Sequence, residues 1–366
     1  MTTRRTVFLC GGAVAVSAVG VAAVVAHDMG SLDAFKAQTT LTRATLLQTP
    51  DIHEVLRYAT LAPSGHNAQP WIFAAALDRL DIFPNPMRRT PVVDPDDHHL
   101  FVSLGCAAEN LTLALAALGH PGEPSFNATN GGSIRVDMGR AKQVRSPLFD
   151  AIPKRQSTRA DYDGRPVSSA DLKTLAEAGS LAGVDLILIT DRRQIDRISD
   201  LVIAGDTAQM GDKAFIDELR RWLRFSPREA MRTGDGLFSA TTGAPILPEW
   251  LGPAAFDLTF KVKSENDKYA RQLASSAGLA VFVGQKEDHE HWVQAGRAAQ
   301  RFALQATALG LKHAFLNQPV EVASLRPELA GLVGLAGRRP DLVMRFGYGP
   351  DLPFSARRSV DAALRT

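Results

Sequence analysis

Cysteine is scarce in this chain, which has only two among its 366 residues. Cys10 lies in an apolar N-terminal stretch, and Cys106 lies in a strongly apolar predicted helix. Two cysteines placed in this way build neither a disulfide framework nor a zinc site. Redox chemistry by this chain would therefore need a bound cofactor.

An excess of charge of one sign is also missing. The chain carries 41 basic and 39 acidic side chains, a net charge of +2, and has no lysine-rich run with interleaved aromatic residues. A nucleic-acid partner is therefore not expected. No Gly-x-Gly-x-x-Gly motif follows a predicted strand, which excludes a Rossmann-type nicotinamide site. With 45% hydrophobic and 22% charged residues, the composition is that of a folded globular protein.

The N-terminus has the pattern of an export signal. Arg4 and Arg5 precede an uncharged apolar stretch, residues 7–26, that ends in small residues suited to signal-peptidase cleavage. The paired arginines resemble a twin-arginine signal, which exports proteins that have already folded. We predict that residues 1–30 are a targeting segment and that the protein reaches the periplasm or cell envelope. The alternative is a membrane anchor formed by residues 7–26, because about 20 apolar residues can span a bilayer.

Two segments of the chain repeat each other. Residues 101–119 and 292–310 match at eight positions, among them Gly105 with Gly296, and both end in a glycine suited to a helix C-terminus. Their apolar residues recur at helical spacing, which predicts two long helices. The small residues within them would allow the two helices to approach closely.

The flanks of these helices also correspond, in the order helix, strand, long helix, strand. We therefore predict an α+β fold of two homologous halves fused in one chain, residues 45–150 and 151–366. The predicted flanking elements are helices at residues 52–62 and 170–178, and strands at 71–76, 184–189, 133–138 and 342–347.

The second half contains an insertion of about 75 residues, at about residues 190–275. It includes an amphipathic helix at 215–223 and a Gly/Pro-rich stretch at 233–253. So long an irregular segment is usually a functional lid or a disordered loop. We favour a lid, because its apolar side chains need a partner surface. These are Phe238, Ile246, Leu247 and Trp250.

Two basic segments of the second half could bind an anion. Arg155, Ser157 and Arg159 occupy alternate positions of an extended segment, so their side chains would point the same way and could grip a phosphate. The alternative is a solvated basic strand. Arg357 and Arg358 follow a Gly-Tyr-Gly-Pro turn and would, taken alone, be a surface charge pair.

A polar turn in the first half offers hydrogen-bonding groups. Pro63 ends the preceding helix, Ser64 and Asn67 lie in a tight turn, and Gln69 precedes the Pro-Trp pair that starts a strand. The alternative is a plain connection between helix and strand. A flavin's pyrimidine edge and ribityl hydroxyls would need this mixture of backbone N–H groups, hydroxyl and amide.

Taken together, these three motifs resemble the signature segments of FMN-dependent nitroreductases. The resemblance implies a nitroreductase-like fold, with central, mainly antiparallel sheets flanked by long helices, and FMN as the cofactor. It implies that Arg155, Ser157, Arg159 and one or both of Arg357 and Arg358 hold the FMN phosphate. It also implies that Ser64 and Asn67 face the flavin from the other half, with Gln69 assisting. NAD(P)H would reduce the flavin, and an organic acceptor, a nitro compound or a quinone, would reoxidise it.

The motifs are divided between the halves, whereas ordinary family members carry all of them in each of two paired chains. The first half has no Arg-x-Ser-x-Arg segment, and the corresponding turn of the second half, residues 178–183, lacks the asparagine and the Gln-Pro-Trp sequence. We therefore predict a monomeric pseudo-dimer with one FMN, similar to the Acg-type branch of the family. The alternative function is a catalytically poor FMN-sequestering or storage protein with the lid over the flavin.

Two histidine-containing segments could suggest metal ligands. Residues 96–99 (Asp-Asp-His-His) and 289–291 (His-Glu-His) both lie at the start of a predicted long helix. Acidic groups are favourable there because of the helix dipole. We therefore predict helix capping rather than a metal site, and we predict no catalytic side chain.

Overall fold

The computed structural model describes residues 27–47 and 50–365. The apolar stretch at residues 7–26, and with it most of the predicted targeting segment, lies outside the described residues.

Two four-stranded antiparallel sheets share one topology. Each sheet joins its strands in the order first, second, fourth, third along the chain. The strands of the first sheet are β1 (Trp71–Ala75), β2 (Arg79–Pro84), β3 (Pro124–Asn127) and β4 (Ser133–Asp137). Those of the second sheet are β5 (Val184–Ile189), β8 (Gly278–Gly284), β9 (Lys312–Phe315) and β10 (Leu342–Gly347). A short parallel pair, β6 (Leu223–Arg224) and β7 (Leu237–Phe238), lies apart from them.

Helices cover both sheets. The two long helices of the repeated segments lie between the two sheets. The helices are α1 (Leu32–Thr42), α2 (Ile52–Thr60), α3 (His98–Ala117), α4 (Pro147–Ala151), α5 (Ser169–Gly179), α6 (Arg192–Gly211), α7 (Lys213–Trp222), α8 (Pro227–Thr233), α9 (Gly252–Thr259), α10 (Val262–Ala274), α11 (His289–Ala308), α12 (Gln318–Glu321) and α13 (Arg326–Leu332). The predicted α+β architecture, with antiparallel sheets and two long helices at the repeated segments, is thus confirmed.

The two long helices α3 and α11 pack against each other through reciprocal glycine contacts. A Cβ atom added to Gly105 would lie 2.0 Å from the carbonyl oxygen of Val293, and one added to Gly296 would lie 2.0 Å from that of Val102. Only glycine permits this approach of the two backbones. The close approach predicted from the small residues is therefore confirmed.

Helix α3 is at the centre of the hydrophobic core. Within the described residues it is the one helix whose length and composition would allow it to span a membrane, yet 78% of its most apolar window is buried inside the protein. It packs on the inner face of the first sheet, and α11 packs on the inner face of the second. Burial against protein explains its hydrophobicity without a membrane.

The second half adds backbone to an outer strand of each sheet. Near the C-terminus, Ala363 accepts a hydrogen bond from the backbone N–H of Phe73, and Arg365 donates to the carbonyl of Phe73. This carries the last segment of the second half along β1 of the first. Ser157 pairs in parallel with His313 of β9. Both basic segments are positioned by these edge pairings.

The insertion lies between the paired strands β5 and β8 and spans residues 190–277. Its predicted amphipathic helix is present as α7. Phe238 is fully buried against Phe35 of α1, with ring centroids 4.6 Å apart. Trp250, in contrast, is 64% exposed, so this side chain has no partner surface within the described part of the chain.

Candidate functional site

The polar turn of the first half has an unusual backbone. His66, Asn67 and Gln69 have φ angles of 49°, 55° and 54°, in the left-handed region that side chains rarely adopt. Ser64 stabilises the turn, because its hydroxyl accepts a hydrogen bond from the backbone N–H of Gln69 at 2.9 Å. Strained conformations of this kind persist where surrounding contacts enforce them, and they cluster at ligand sites.

Arg357 of the C-terminal segment joins this turn to the end of α2. Its guanidinium donates to the carbonyl oxygens of Thr60, Leu61 and Ala62 at 2.7, 3.1 and 3.1 Å. It also donates to Oδ1 of Asn67 at 3.0 Å. The arginine thus satisfies carbonyls that the helix end leaves free and fixes the amide of Asn67.

Arg155 reaches the same point from the other basic segment. Its Nη2 atom donates to the carbonyl oxygen of Leu61 at 3.2 Å, and Nη1 donates to the hydroxyl of Ser157 at 3.4 Å. Only 2% of Arg155 is exposed, and its buried Nε atom has no hydrogen-bond partner among the described residues. Two cations from the second half therefore meet at one carbonyl of the first half.

Arg159 completes the basic segment and is only partly buried. Among the described residues its guanidinium has no carboxylate within ion-pair distance. Burial, together with the charge of Arg159, lowers the pKa of His66 to about 4, so this imidazole is neutral at physiological pH. The buried Nδ1 atom of His66 has no hydrogen-bond partner in the described structure.

The electrostatics of this region favour an anion. Burial lowers the pKa of Arg155 to about 10, and burial with the neighbouring charge of Arg155 lowers that of Arg357 to about 9. No carboxylate pairs with either guanidinium in the described part of the chain. Burying unpaired cations is costly, and a bound phosphate would remove much of that cost. The arrangement can therefore hold an anionic group between the two halves.

Gln69 and Arg358 are placed differently from the other predicted site residues. The Gln69 amide donates to the carbonyl of Gly234 at 2.8 Å and accepts from the backbone N–H of Arg358 at 3.0 Å. The guanidinium of Arg358 lies near the carbonyls of Gln69 and Ala362 and does not join Arg155 and Arg357. The two side chains thus connect the polar turn with the insertion and with the C-terminal segment.

A loop of the insertion, residues 234–236, lies over the polar turn. Asn67 donates through Nδ2 to the carbonyl of Gly236 at 3.1 Å, and Asp235 forms ion pairs with Arg88 and Arg224. A Cβ atom added to Gly236 would lie 2.4 Å from the carbonyl of Trp222, and its φ is 77°. The loop is thus fixed over the site by hydrogen bonds, ion pairs and close backbone packing.

Sequence reasoning missed several polar residues of this region. No function was predicted for His66, although its position between Ser64 and Asn67 places it in the polar turn. Arg43 at the end of α1 donates a hydrogen bond to the carbonyl of Arg155, and His313 of β9 pairs with Ser157. No motif marks these two, because they reach the site only through the tertiary fold.

A second cluster lies at the start of α3. Asp94, His98 and His99 place potential ligand atoms within 4.8 Å of one another. The two carboxylate oxygens of Asp94 accept from the backbone N–H groups of His99 and Leu100, each at 2.9 Å, which is helix capping. His98 instead pairs with Asp341 at 2.7 Å. At the other long helix, Asp288 caps α11.

Comparison with known proteins yields one family. Residues 152–348, just over half of the chain, match the family model described as Nitroreductase family.

Two curated sequences from Mycobacterium tuberculosis (strain H37Rv) are similar over most of the chain. "Putative NAD(P)H nitroreductase Rv3131" is 26% identical over 326 residues, which covers 84% of this chain and 89% of that protein. "Putative NAD(P)H nitroreductase acg" is 22% identical over 337 residues, which covers 87% and 96%.

Similar solved structures include the FMN-dependent nitroreductase NfnB from Mycobacterium smegmatis in complex with NADPH. It is 15% identical with a TM-score of 0.38, covering 56% of this chain and 88% of that one. A nitroreductase with bound FMN from Desulfitobacterium hafniense is 15% identical with a TM-score of 0.37, covering 59% and 94%.

Proposed function

The chain belongs to the nitroreductase family, and on this premise we propose that it binds FMN between its two halves and is an NAD(P)H-dependent oxidoreductase. The electrons would pass to an organic acceptor, a nitro compound or a quinone. The names of the curated relatives, which specify NAD(P)H, support the choice of electron donor.

One observation carries the proposal. Arg155 and Arg357, from two separate segments of the second half, converge on the carbonyl of Leu61 beside the Asn67 turn of the first half. Their charges have no carboxylate partner among the described residues, and the Nε atom of Arg155 lacks an acceptor. A phosphate group supplies the negative charge that both guanidinium groups lack and an acceptor for the Nε atom of Arg155.

The residues have separate roles in this proposal. Arg155, Ser157, Arg159 and Arg357 would hold the phosphate by charge-assisted hydrogen bonds, and Ser64 and Asn67 would orient the flavin from the other half. When bound, FMN supplies the hydride chemistry, whereas the protein provides position and electrostatic tuning. The loop at residues 234–236 would restrict water and acceptors from the polar turn.

We further propose that the chain is a fused pseudo-dimer with a single flavin site. The shared strand order of the two sheets and the reciprocal contacts of Gly105 and Gly296 support two related halves. Only one combination of segments, the turn of the first half with the basic segments of the second, is complete in the sequence. Flavin absorbance measured against amino-acid analysis should give one FMN per chain, and a ratio near two would refute the single site.

A second candidate function is flavin sequestration or storage. The observation that favours it is the insertion itself, whose residues Gly234 and Gly236 accept hydrogen bonds from Gln69 and Asn67 of the flavin-facing turn. A loop held in this way could exclude nicotinamide as well as water.

The purified protein distinguishes these functions. A yellow preparation that NAD(P)H bleaches, and that a nitro compound or quinone reoxidises, supports the reductase. A yellow preparation that dithionite reduces but NAD(P)H does not supports sequestration. A colourless protein that takes up no added FMN contradicts both.

The cellular location of the protein is a further proposal. We propose that residues 1–30 direct the folded protein through a twin-arginine pathway, with retention through residues 7–26 as the alternative. Expression with Arg4 and Arg5 replaced by lysine, followed by fractionation and mass determination, would show whether export and cleavage depend on the pair. Unchanged location would contradict the signal.

A further inference from the structure

Arg43 lies outside every segment so far assigned to the site. It is the C-cap residue of α1, ahead of the first predicted half and of the residues that match the family. Nevertheless only 8% of this arginine is exposed. A buried arginine needs partners, and the side-chain partners of Arg43 lie in or just before the two basic segments.

The contacts of Arg43 connect these two segments. Its Nη1 atom donates to the carbonyl oxygens of Pro153 at 3.1 Å and Arg155 at 3.4 Å. Its guanidinium lies over the ring of Phe354, 4.1 Å from the centroid, which is a cation–π contact. Pro153 and Arg155 precede Ser157, while Phe354 lies three positions before Arg357. One side chain therefore fixes the backbone on both sides of the proposed phosphate site.

The charge of Arg43 points to the same site. Burial and the nearby charges of Arg357 and Arg155 lower the pKa of Arg43 well below its usual value. No carboxylate lies within ion-pair distance of Arg43 in the part of the chain that the structure describes. Three guanidinium groups thus share one buried region without a counter-ion.

His313 provides independent evidence that this region lacks a ligand group. It is fully buried, and neither ring nitrogen has a hydrogen-bond partner among the described residues. The backbone of His313 pairs with Ser157, two positions after Arg155, and burial with the charge of Arg155 lowers the pKa of its imidazole. With the Nε atom of Arg155, three buried polar atoms remain unsatisfied around one arginine. Unsatisfied buried groups on this scale are rare in folded proteins without a bound partner.

We propose that Arg43 is a positioning residue of the phosphate site, which holds Arg155 and the Phe354–Arg357 segment in place and adds a third positive charge beside the bound anion. The proposal rests on the proposed FMN function. It makes α1, the helix that directly follows the targeting segment, part of the cofactor site. Docking of α1 and binding of FMN should therefore favour each other, since each stabilises the same arrangement of cations.

The test compares FMN with riboflavin, which lacks the phosphate. Full-length protein is stripped of flavin and titrated with each compound, with quenching of flavin fluorescence as the readout. The variants are Arg43→Ala, Arg43→Lys and, as a matched control, Arg140→Ala, because Arg140 is exposed and has no ion pair among the described residues. We expect Arg43→Ala to weaken FMN binding about tenfold or more and to leave riboflavin binding unchanged. Arg43→Lys should recover part of the loss through its charge, and Arg140→Ala should match the wild type.

Each other outcome has a defined meaning. If wild-type protein binds FMN and Arg43→Ala binds it equally well, the role of Arg43 is refuted while the FMN function stands. If the variant loses FMN and riboflavin to the same degree, Arg43 is only structural and the inference fails. If Arg43→Ala does not fold, Arg43→Lys decides. A folded lysine variant that keeps the FMN affinity of the wild type, and its preference for FMN over riboflavin, also refutes positioning by the guanidinium. Wild-type protein that binds neither flavin overturns the FMN function and this inference together.

Discussion

Arg357 donates a hydrogen bond to Oδ1 of Asn67 over 3.0 Å, although the two residues lie 290 positions apart in the chain. The bond joins the C-terminal basic segment to the polar turn of the first half. Because the same guanidinium also holds three carbonyls at the end of α2, it fixes the turn and the basic segment as one unit. The candidate site is therefore a product of contact between the two halves.

The first prediction concerns Arg159, the one arginine of the proposed phosphate site whose side chain makes no hydrogen bond to a described residue. Arg159→Ala should weaken FMN binding by roughly 1.5–3 kcal/mol, the usual contribution of a charged hydrogen bond. Folding should change little, since no hydrogen bond from this side chain to a described residue is lost. Fluorescence titration measures the affinity, with Arg140→Ala as the control. An affinity equal to that of the wild type would remove Arg159 from the phosphate site.

The second prediction concerns the loop over the turn. Asp235→Asn should loosen residues 234–236, because it weakens the ion pairs that Asp235 makes with Arg88 and Arg224. Backbone hydrogen exchange in this loop should increase, and if the loop limits access, NAD(P)H should reduce the bound flavin faster. The control is Asp200→Asn, an exposed residue of the same insertion without an ion pair in the described structure. Faster exchange with an unchanged rate of reduction would show that the loop does not limit access.

The third prediction is a pH dependence of stability. Burial raises the pKa of Glu321 to about 7, although a hydrogen bond from Gln209 acts in the opposite direction. In the unfolded chain this pKa is about 4.3, so the folded state favours the protonated acid. The contribution of Glu321 to the free energy of unfolding is therefore complete below about pH 4 and is lost as the pH rises to about 7. In urea unfolding at a series of pH values, Glu321→Gln should gain stability relative to the wild type across this window. Parallel pH profiles for the two proteins would contradict the assignment.

The fourth prediction concerns the contact between the long helices. Gly105→Ala and Gly296→Ala should each destabilise the protein by about 1–3 kcal/mol or more, because the added methyl group would overlap a carbonyl of the opposite helix. Gly331→Ala is the control, since a Cβ there meets nothing within 4 Å and alanine favours a helix by up to ~1 kcal/mol. Thermal and urea unfolding measure the difference. Similar stabilities for all three variants would mean that the helices separate easily.

Much of the fold could be predicted from local patterns. The helical periodicity and the paired glycines located α3 and α11, and the corresponding flanks of the repeat located β1 and β5. Strand β8 was missed because all seven of its residues are buried, so it shows no alternation of polar and apolar side chains. Helix α1 was missed as well, since only two of its residues, Phe35 and Thr39, are buried and its apolar stripe is weak.

The site was predictable only where a motif marks it. The segments around Asn67 and Arg155 could be recognised, but the sequence could not distinguish Arg357 from Arg358. In the structure, the first is buried against α2 and the second points to the Ala362 carbonyl. The side chains of neighbouring residues in an extended segment point in opposite directions, so only one of Arg357 and Arg358 can face the site. Arg43 carried no local signal, because Pro153 and Arg155 lie 110 and 112 positions away in sequence and Phe354 lies farther still.

The insertion has unequal attachments to the rest of the molecule. Ile195, Ile198 and Val202 of its first helix, α6, share a hydrophobic cluster with Leu279 and Val281 on the outer face of the second sheet. The first sheet has an outer face with a charged centre, where Asp81 pairs with Arg79 and Arg135. Loss of α6 would therefore expose the apolar outer face of the second sheet to water, whereas the charged outer face of the first sheet tolerates solvent. In the proposed function, a movement of the insertion that uncovers the flavin would hinge between α6 and α10, because Leu273 of α10 lies in the same hydrophobic cluster as α6.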